Sequence, residues 1–86
     1  MIKVGQIFMN GDGITKYTIT YVLPRRNSTD ETICQAICND GFLFENLKEE
    51  DILGDYLIAE YPTWQEAVNS KEFRDEYATK WTCKNI

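Results

Sequence analysis

Residues 31–44 read ETICQAICNDGFLF, and whether the first eight of them form a helix or a strand decides the fold. Two readings compete. Ser28 followed three residues later by Glu31 has the form of a capping box, and Ile33, Ala36 and Ile37 fall at helical spacing. Against this, Asn39-Asp40-Gly41 is a cluster that turns a chain tightly, and Phe42-Leu43-Phe44 then opens a run suited to a returning strand. The turn favours the second reading, a hairpin that pairs ICQAIC with FLFE.

The cysteines follow that choice. On a strand, Cys34 and Cys38 stand about 13 Å apart at ~3.3 Å per residue, beyond the ~7 Å between Cα atoms that a disulfide spans. On a helix they would lie close. The strand reading makes both of them small buried hydrophobes. With Cys83 they are three thiols in a chain without histidine, which falls short of the four ligands of a structural zinc site.

Upstream, the chain reads as strands. Ile2 to Met9 runs into Asn10-Gly11-Asp12-Gly13, a hairpin turn. In the following ITKYTITYVL, Tyr17, Ile19, Tyr21 and Leu23 alternate with Thr18, Thr20 and Val22, the period of a half-buried strand. Pro24 stops it, and RRNSTD at 25–30 is a polar loop. Downstream, LKEEDIL predicts a short helical turn and YLIAEY a last strand.

Pro62 then ends strand character. Thr63-Trp64-Gln65-Glu66 has the T-x-x-E form that starts a helix, with Trp64, Ala67 and Val68 on one side as a lid for the core. Ser70 caps a second helix, in which Phe73, Tyr77 and Trp81 recur every four residues as an aromatic stripe. The expectation is a single α+β domain over 1–86. Its β part is a small, strongly bent antiparallel barrel of about five strands over 1–60, followed by one or two helices over 61–82.

The run Lys3-Val4-Gly5-Gln6-Ile7-Phe8, the Tyr17-Thr18-Ile19 strand, the Asp40-Gly41 hairpin and the tail from Tyr61 through Phe73 together resemble small proteins encoded by phages and prophages of Gram-positive bacteria, of SH3-like barrel layout. The resemblance implies an accessory protein of a mobile element, working in the host cytoplasm. It carries no catalytic or ligand signature to transfer.

Composition narrows the function further. No apolar run approaches the ~20 residues of a spanning helix, and the amino terminus turns polar before a signal-peptide core forms; both predict a cytoplasmic protein away from membranes. Net charge is −5, unevenly placed: residues 1–30 carry +2, and residues 31–60 carry eight acids against Lys48. A nucleic-acid binder draws its affinity from a basic face, so nucleic acid is a poor candidate partner. The lack of histidine removes the commonest general base, and neither a G-x-G-x-x-G run nor a P-loop is present. Asn10-Gly11-Asp12-Gly13 lacks the further spaced acids of a calcium loop. Glu49, Glu50 and Asp51 are consecutive, so on a helix they diverge rather than converge on one site, and they suit a helix amino terminus. The sequence predicts no enzyme, no cofactor and no metal.

Binding remains, in three forms. The first is a protein-interaction module that uses Phe73, Tyr77 and Trp81, against the plainer reading that this stripe packs on the sheet or joins two copies of the chain. The second is an acidic inhibitor that imitates nucleic acid, presenting Asp40, Glu45, Glu49, Glu50, Asp51, Asp55 and Glu60 to a basic host protein. The third and weakest is nucleic-acid binding through Lys3, Lys16, Arg25 and Arg26, set beside a strongly acidic segment.

Overall fold

In the computed structural model, residues 2–23 and 32–74 are described. Strands β1 (Gln6–Met9), β2 (Lys16–Leu23), β3 (Ile33–Cys38), β4 (Leu43–Lys48) and β5 (Tyr56–Glu60) form one antiparallel sheet in the order β4-β3-β2-β1-β5. Short helices α1 (Glu49–Ile52) and α2 (Trp64–Val68) join it, and residues 71–74 are again helical. The chain is an α+β fold.

The ambiguous segment is a strand. Burial in β3 alternates residue by residue, with Cys34, Ala36 and Cys38 inward, and Ala36 and Ile37 pair with Phe44 and Leu43. The turn that follows explains why the helix loses. Gly41 takes a φ of 94°, Asp40 Oδ1 accepts the Phe42 N–H at 3.0 Å, and Cys38 N–H donates to the Phe42 carbonyl at 2.8 Å. These local bonds fix the hairpin before any tertiary contact is needed. The Asn10–Gly13 turn works the same way, with Asp12 Oδ1 accepting the N–H groups of Ile14 and Thr15 at 2.8 and 2.9 Å.

Two expectations are corrected by backbone irregularity. The first strand begins at Gln6 rather than Ile2, because Gly5 adopts a φ of 93° and Gln6 N–H turns back to the Lys3 carbonyl at 3.2 Å. The alternation in β2 does not run through to Leu23. Its register against β3 slips between Ile19 and Tyr21, leaving Thr20 as an extra residue. Beyond this bulge the faces exchange. Val22 joins Tyr17 and Ile19 inside, while Tyr21 and Leu23 swing to the other face and are 49% and 38% exposed. Equivalent slips put an extra residue, Ile58, in β5 and another between Phe44 and Leu47 in β4. Bulges bend and twist the strands that carry them, yet β4 and β5 remain the two edges of the sheet. The sheet does not close into a barrel.

Two apolar layers result. On the inner face, Phe8 stacks on Tyr17 with ring centroids 5.7 Å apart, Tyr17 meets the edge of Phe44, and Ile19, Cys34, Ala36 and Cys38 complete the layer. Ile52 of α1 seals it and is wholly buried. On the outer face, Ile7 packs under Ala67 of α2 and Phe73. α2 starts as its sequence signature requires: Thr63 Oγ1 accepts the Glu66 N–H at 3.1 Å. The Glu66 carboxylate in turn accepts the Thr63 hydroxyl at 3.1 Å, where a full capping box would have it accept the Thr63 backbone N–H. Ser70 opens the next helical stretch, its Oγ accepting the Phe73 N–H at 3.2 Å. Of the expected lid, Ala67 is buried, whereas Trp64 and Val68 are half-buried. Phe73 belongs to the core at 5% exposure, as the packing alternative for the stripe expects. Tyr77 and Trp81 lie outside the described residues.

The two inner cysteines carry a pH prediction. Burial, then the nearby Glu49 carboxylate, raises the Cys34 thiol; burial, then Asp40, pushes Cys38 up from 9.0 to about 11. In the unfolded chain these thiols ionise near 9.0, so above that value the unfolded state holds fewer protons than the folded one. Their contribution is therefore whole below 9.0, and that of Cys38 is lost as pH climbs to about 11. Urea melts across that interval are expected to show steadily falling midpoints. Replacement of Cys38 by alanine should flatten the fall, and an unchanged slope would contradict the burial of this thiol.

Candidate functional site

The corner where β4 passes through α1 into β5 gathers most of the acidic segment. β4 runs straight into α1, and the Glu49 N–H is held by the Thr32 carbonyl at 3.1 Å. The helix has a single turn, and all three residues of its opening are acidic: Glu49, Glu50 and Asp51. Such placement complements the helix dipole and needs no side-chain cap, which Lys48 does not provide. Ile52 points into the core, so Leu53, one position on, must point away. N–H groups of Leu53, Gly54 and Asp55 return to the carbonyls of Glu49, Asp51 and Ile52 and close the turn into β5.

What the corner presents to solvent is apolar as well as acidic. Leu53, Tyr56 and Leu57 are 62%, 66% and 47% exposed, within eight residues of Glu50 and Asp51. Around them the carboxylates divide into two kinds. Asp55 and Glu60 are engaged internally. Asp55 Oδ2 accepts the Tyr17 hydroxyl at 2.6 Å, and Glu60 Oε1 accepts Gln6 Nε2 at 3.2 Å. Burial, reinforced by that Asp55 contact, drives the Tyr17 phenol well above its ordinary range, so the tyrosine stays a neutral donor. Glu50 and Asp51 project outward, with Glu49 half-buried beside them. Glu45 is exposed on β4, and Asp40 sits in the hairpin turn at its far end.

The expected site residues are thus partly brought together. Glu49, Glu50, Asp51 and Asp55 share the corner, Phe73 is withdrawn into the core, and Tyr77 and Trp81 fall beyond the described residues. The expected basic set is dispersed: Lys16 is buried, with Nζ donating to the Glu72 carbonyl at 2.8 Å, Lys3 is exposed, and Arg25 and Arg26 lie outside the described residues. Among the described residues no group of cysteines and carboxylates is arranged to hold a metal ion, and none of the described helices is long and apolar enough to cross a membrane.

Sequence reasoning missed Leu53, Tyr56 and Leu57, because an apolar run invites burial. A signal was present. Ile52 and Leu53 are adjacent on one helical turn, and only one of them can face the core.

No protein family, curated protein or solved structure matches the chain. A functional reading therefore rests on its own residues.

Proposed function

We propose that this chain is a non-enzymatic protein-interaction module, whose docking surface is the β4–α1–β5 corner, with the exposed Leu53 as its apolar centre and Glu50 and Asp51 on the same turn. The observation that carries the reading is Leu53 itself, a large apolar side chain 62% exposed three residues on from the outward-facing Glu50, with Tyr56 and Leu57 exposed nearby on opposite faces of the edge strand β5. A partner with an apolar centre and basic flanks complements it. The carboxylates steer such a partner, and the apolar centre holds it. The resemblance of the glycine turns and the capped α2 to small phage and prophage proteins supports an accessory role in the host cytoplasm. The bent five-stranded sheet is compatible with the SH3-like layout of those proteins.

An acidic mimic of nucleic acid is the second reading, favoured by the seven acids from Asp40 to Glu60. Two of them are spent on Tyr17 and Gln6, and Leu53, Tyr56 and Leu57 interrupt the row. Nucleic-acid binding by the chain itself is the weakest reading, since Lys16 is turned inward.

The test is capture of a partner by the tagged chain from Gram-positive lysate, in low and in high salt. The module reading expects a partner that persists in high salt and loses about ten-fold or more in affinity, ~1.4 kcal/mol, on Leu53→Asp. A basic partner that is released by salt and by Glu50→Gln with Asp51→Asn, but not by Leu53→Asp, favours the mimic. A partner insensitive to all these changes removes the corner as the site.

A further inference from the structure

The turn between β1 and β2 holds a reactive pair. Asn10 is followed by Gly11, and both are exposed. An asparagine side chain can close on the next peptide nitrogen, and a glycine there hinders the approach least, having no Cβ. The closure needs an unengaged nitrogen to attack, an amide free to leave and support for the oxygen that takes up charge.

These conditions meet at Asn10. The N–H groups of Asn10 and Gly13 donate to the Thr15 and Asn10 carbonyls at 2.8 and 3.0 Å, but among the described residues nothing accepts the Gly11 N–H. No described residue holds Asn10 Nδ2 either, and the residue faces water. Asn10 Oδ1 accepts the Asp12 N–H at 3.3 Å, which folds the side chain forward over the Gly11 peptide. Such a donor strengthens as charge builds on the oxygen.

The comparable pairs are blocked. Gly13 N–H is spent on the Asn10 carbonyl, and the Asp12 carboxylate before it is kept ionised by the N–H groups of Ile14 and Thr15, which makes it a poor electrophile. Gly41 N–H donates to the Cys38 carbonyl at 2.9 Å, so Asp40 has no open nitrogen to close on. Asn69 Nδ2 and the following Ser70 N–H are committed to the Gln65 and Ala67 carbonyls at 2.9 and 3.1 Å. Asn39 Nδ2 is buried, and Asn46 precedes the branched Leu47 within β4.

We propose that Asn10 is a self-modifying site, which the turn converts to aspartate and isoaspartate without an enzyme. The Gly11 nitrogen loses its proton to solvent base and bonds to Asn10 Cγ. The Cγ–Nδ2 bond breaks, and Nδ2 leaves as ammonia, so that a five-membered succinimide remains. Water then opens the ring. Attack at the side-chain carbonyl gives aspartate; attack at the main-chain carbonyl gives isoaspartate, with the chain running through Cγ. Nothing is oxidised or reduced. Either product adds one negative charge to the −5 of the chain. The isoaspartate form also lengthens the main chain by one carbon and displaces the carbonyl that accepts the Gly13 N–H, which loosens the turn that sets β1 against β2.

The experiment is timed incubation of the full chain in mildly alkaline buffer, read by intact mass, peptide mapping and methyl acceptance from an isoaspartyl methyltransferase. A linear peptide of residues 6–16 sets the unrestrained rate. Expected is conversion at Asn10 ahead of Asn39, Asn46 and Asn69, at a rate within about ten-fold of the peptide. Gly11→Ala leaves the fold intact, because the added carbon meets nothing within 4 Å, and should slow the conversion about ten-fold or more. A lag behind the peptide of more than about ten-fold means that the turn holds Asn10 Cγ away from the Gly11 nitrogen, and overturns the proposal. Conversion led by another asparagine, or a rate unchanged in Gly11→Ala, overturns it as well.

Discussion

Replacing Gly5 by alanine is expected to cost the protein most of its stability. Gly5 sits where the amino-terminal segment passes the end of β5, with a φ of 93° that disfavours any side chain. Its N–H donates to the Ile19 carbonyl at 2.9 Å, and its carbonyl accepts the Tyr61 N–H at 3.0 Å, so one residue ties β2 to the exit of β5. A Cβ at this position would stand 2.1 Å from the Tyr61 carbonyl oxygen and 3.1 Å from the Tyr61 carbonyl carbon. Both obstacles are backbone and cannot rotate away. Relief requires moving Tyr61, which breaks the bond it makes and disturbs its contact with the Ile7 cluster. The left-handed conformation alone costs an alanine about 1–2 kcal/mol, and a lost buried hydrogen bond adds about 1. With repacking, a total of about 4 kcal/mol or more is expected, a large share of a typical domain's stability. Thermal melts should show a fall of roughly 20 °C or no cooperative transition. Gly13→Ala is the control, because its φ is 74° but nothing lies within 4 Å of the added carbon. It should cost only the conformational part. Equal losses at the two positions would mean that the crossing at Tyr61 is not as described.

The second large effect is expected at Ile52. This side chain is the contribution of α1 to the inner layer, and it is wholly buried. Truncation to alanine removes three carbons from a closed site and should cost about 2–5 kcal/mol. Its neighbour Leu53 is the same size and 62% exposed, so Leu53→Ala should stay within about 0.5 kcal/mol. Denaturant titration of the two variants therefore tests how α1 is rotated on the sheet. If Leu53 proved the costly residue, the helix would be turned by roughly 100°, and the apolar centre of the proposed docking surface would be gone. The contrast also separates stability from binding: Leu53 variants should fold normally and fail only with a partner.

Much of the fold was legible because its signals are local. Each turn names itself: Asn10 to Gly13 and Asn39 to Gly41 carry the side-chain oxygens and the positive-φ glycines that close them. Thr63 and Glu66 announce α2, and Ser70 the stretch after it. What stayed hidden depends on pairing between strands. Nothing in KYTITYVL marks Thr20 as an extra residue, since a bulge is defined by its partner strand. That slip alone turns Tyr21 and Leu23 outward. Phe73 was read as part of an aromatic stripe that either packs on the sheet or meets a partner, because helical periodicity shows which residues share a side without showing what that side meets. The acidic cluster was legible and its apolar centre was not, for the same reason: charge survives in a one-dimensional reading, whereas exposure of Leu53 or Tyr56 is a property of the sheet edge.

The bulges have a further effect at the margins of the sheet. A growing stack of strands needs each end to offer a straight ladder of free N–H and C=O groups at even spacing. Here β5 is broken at Ile58 and β4 between Phe44 and Leu47. Glu60 stands on the one, and Glu45 and Lys48 on the other. Both chain ends of the potential polymer are thus terminated. An incoming strand loses registry within a few residues and meets charge as it does so. The irregularities that curve the sheet also cap its propagation, so that a small acidic protein with exposed apolar side chains is guarded against stacking edge to edge into fibrils.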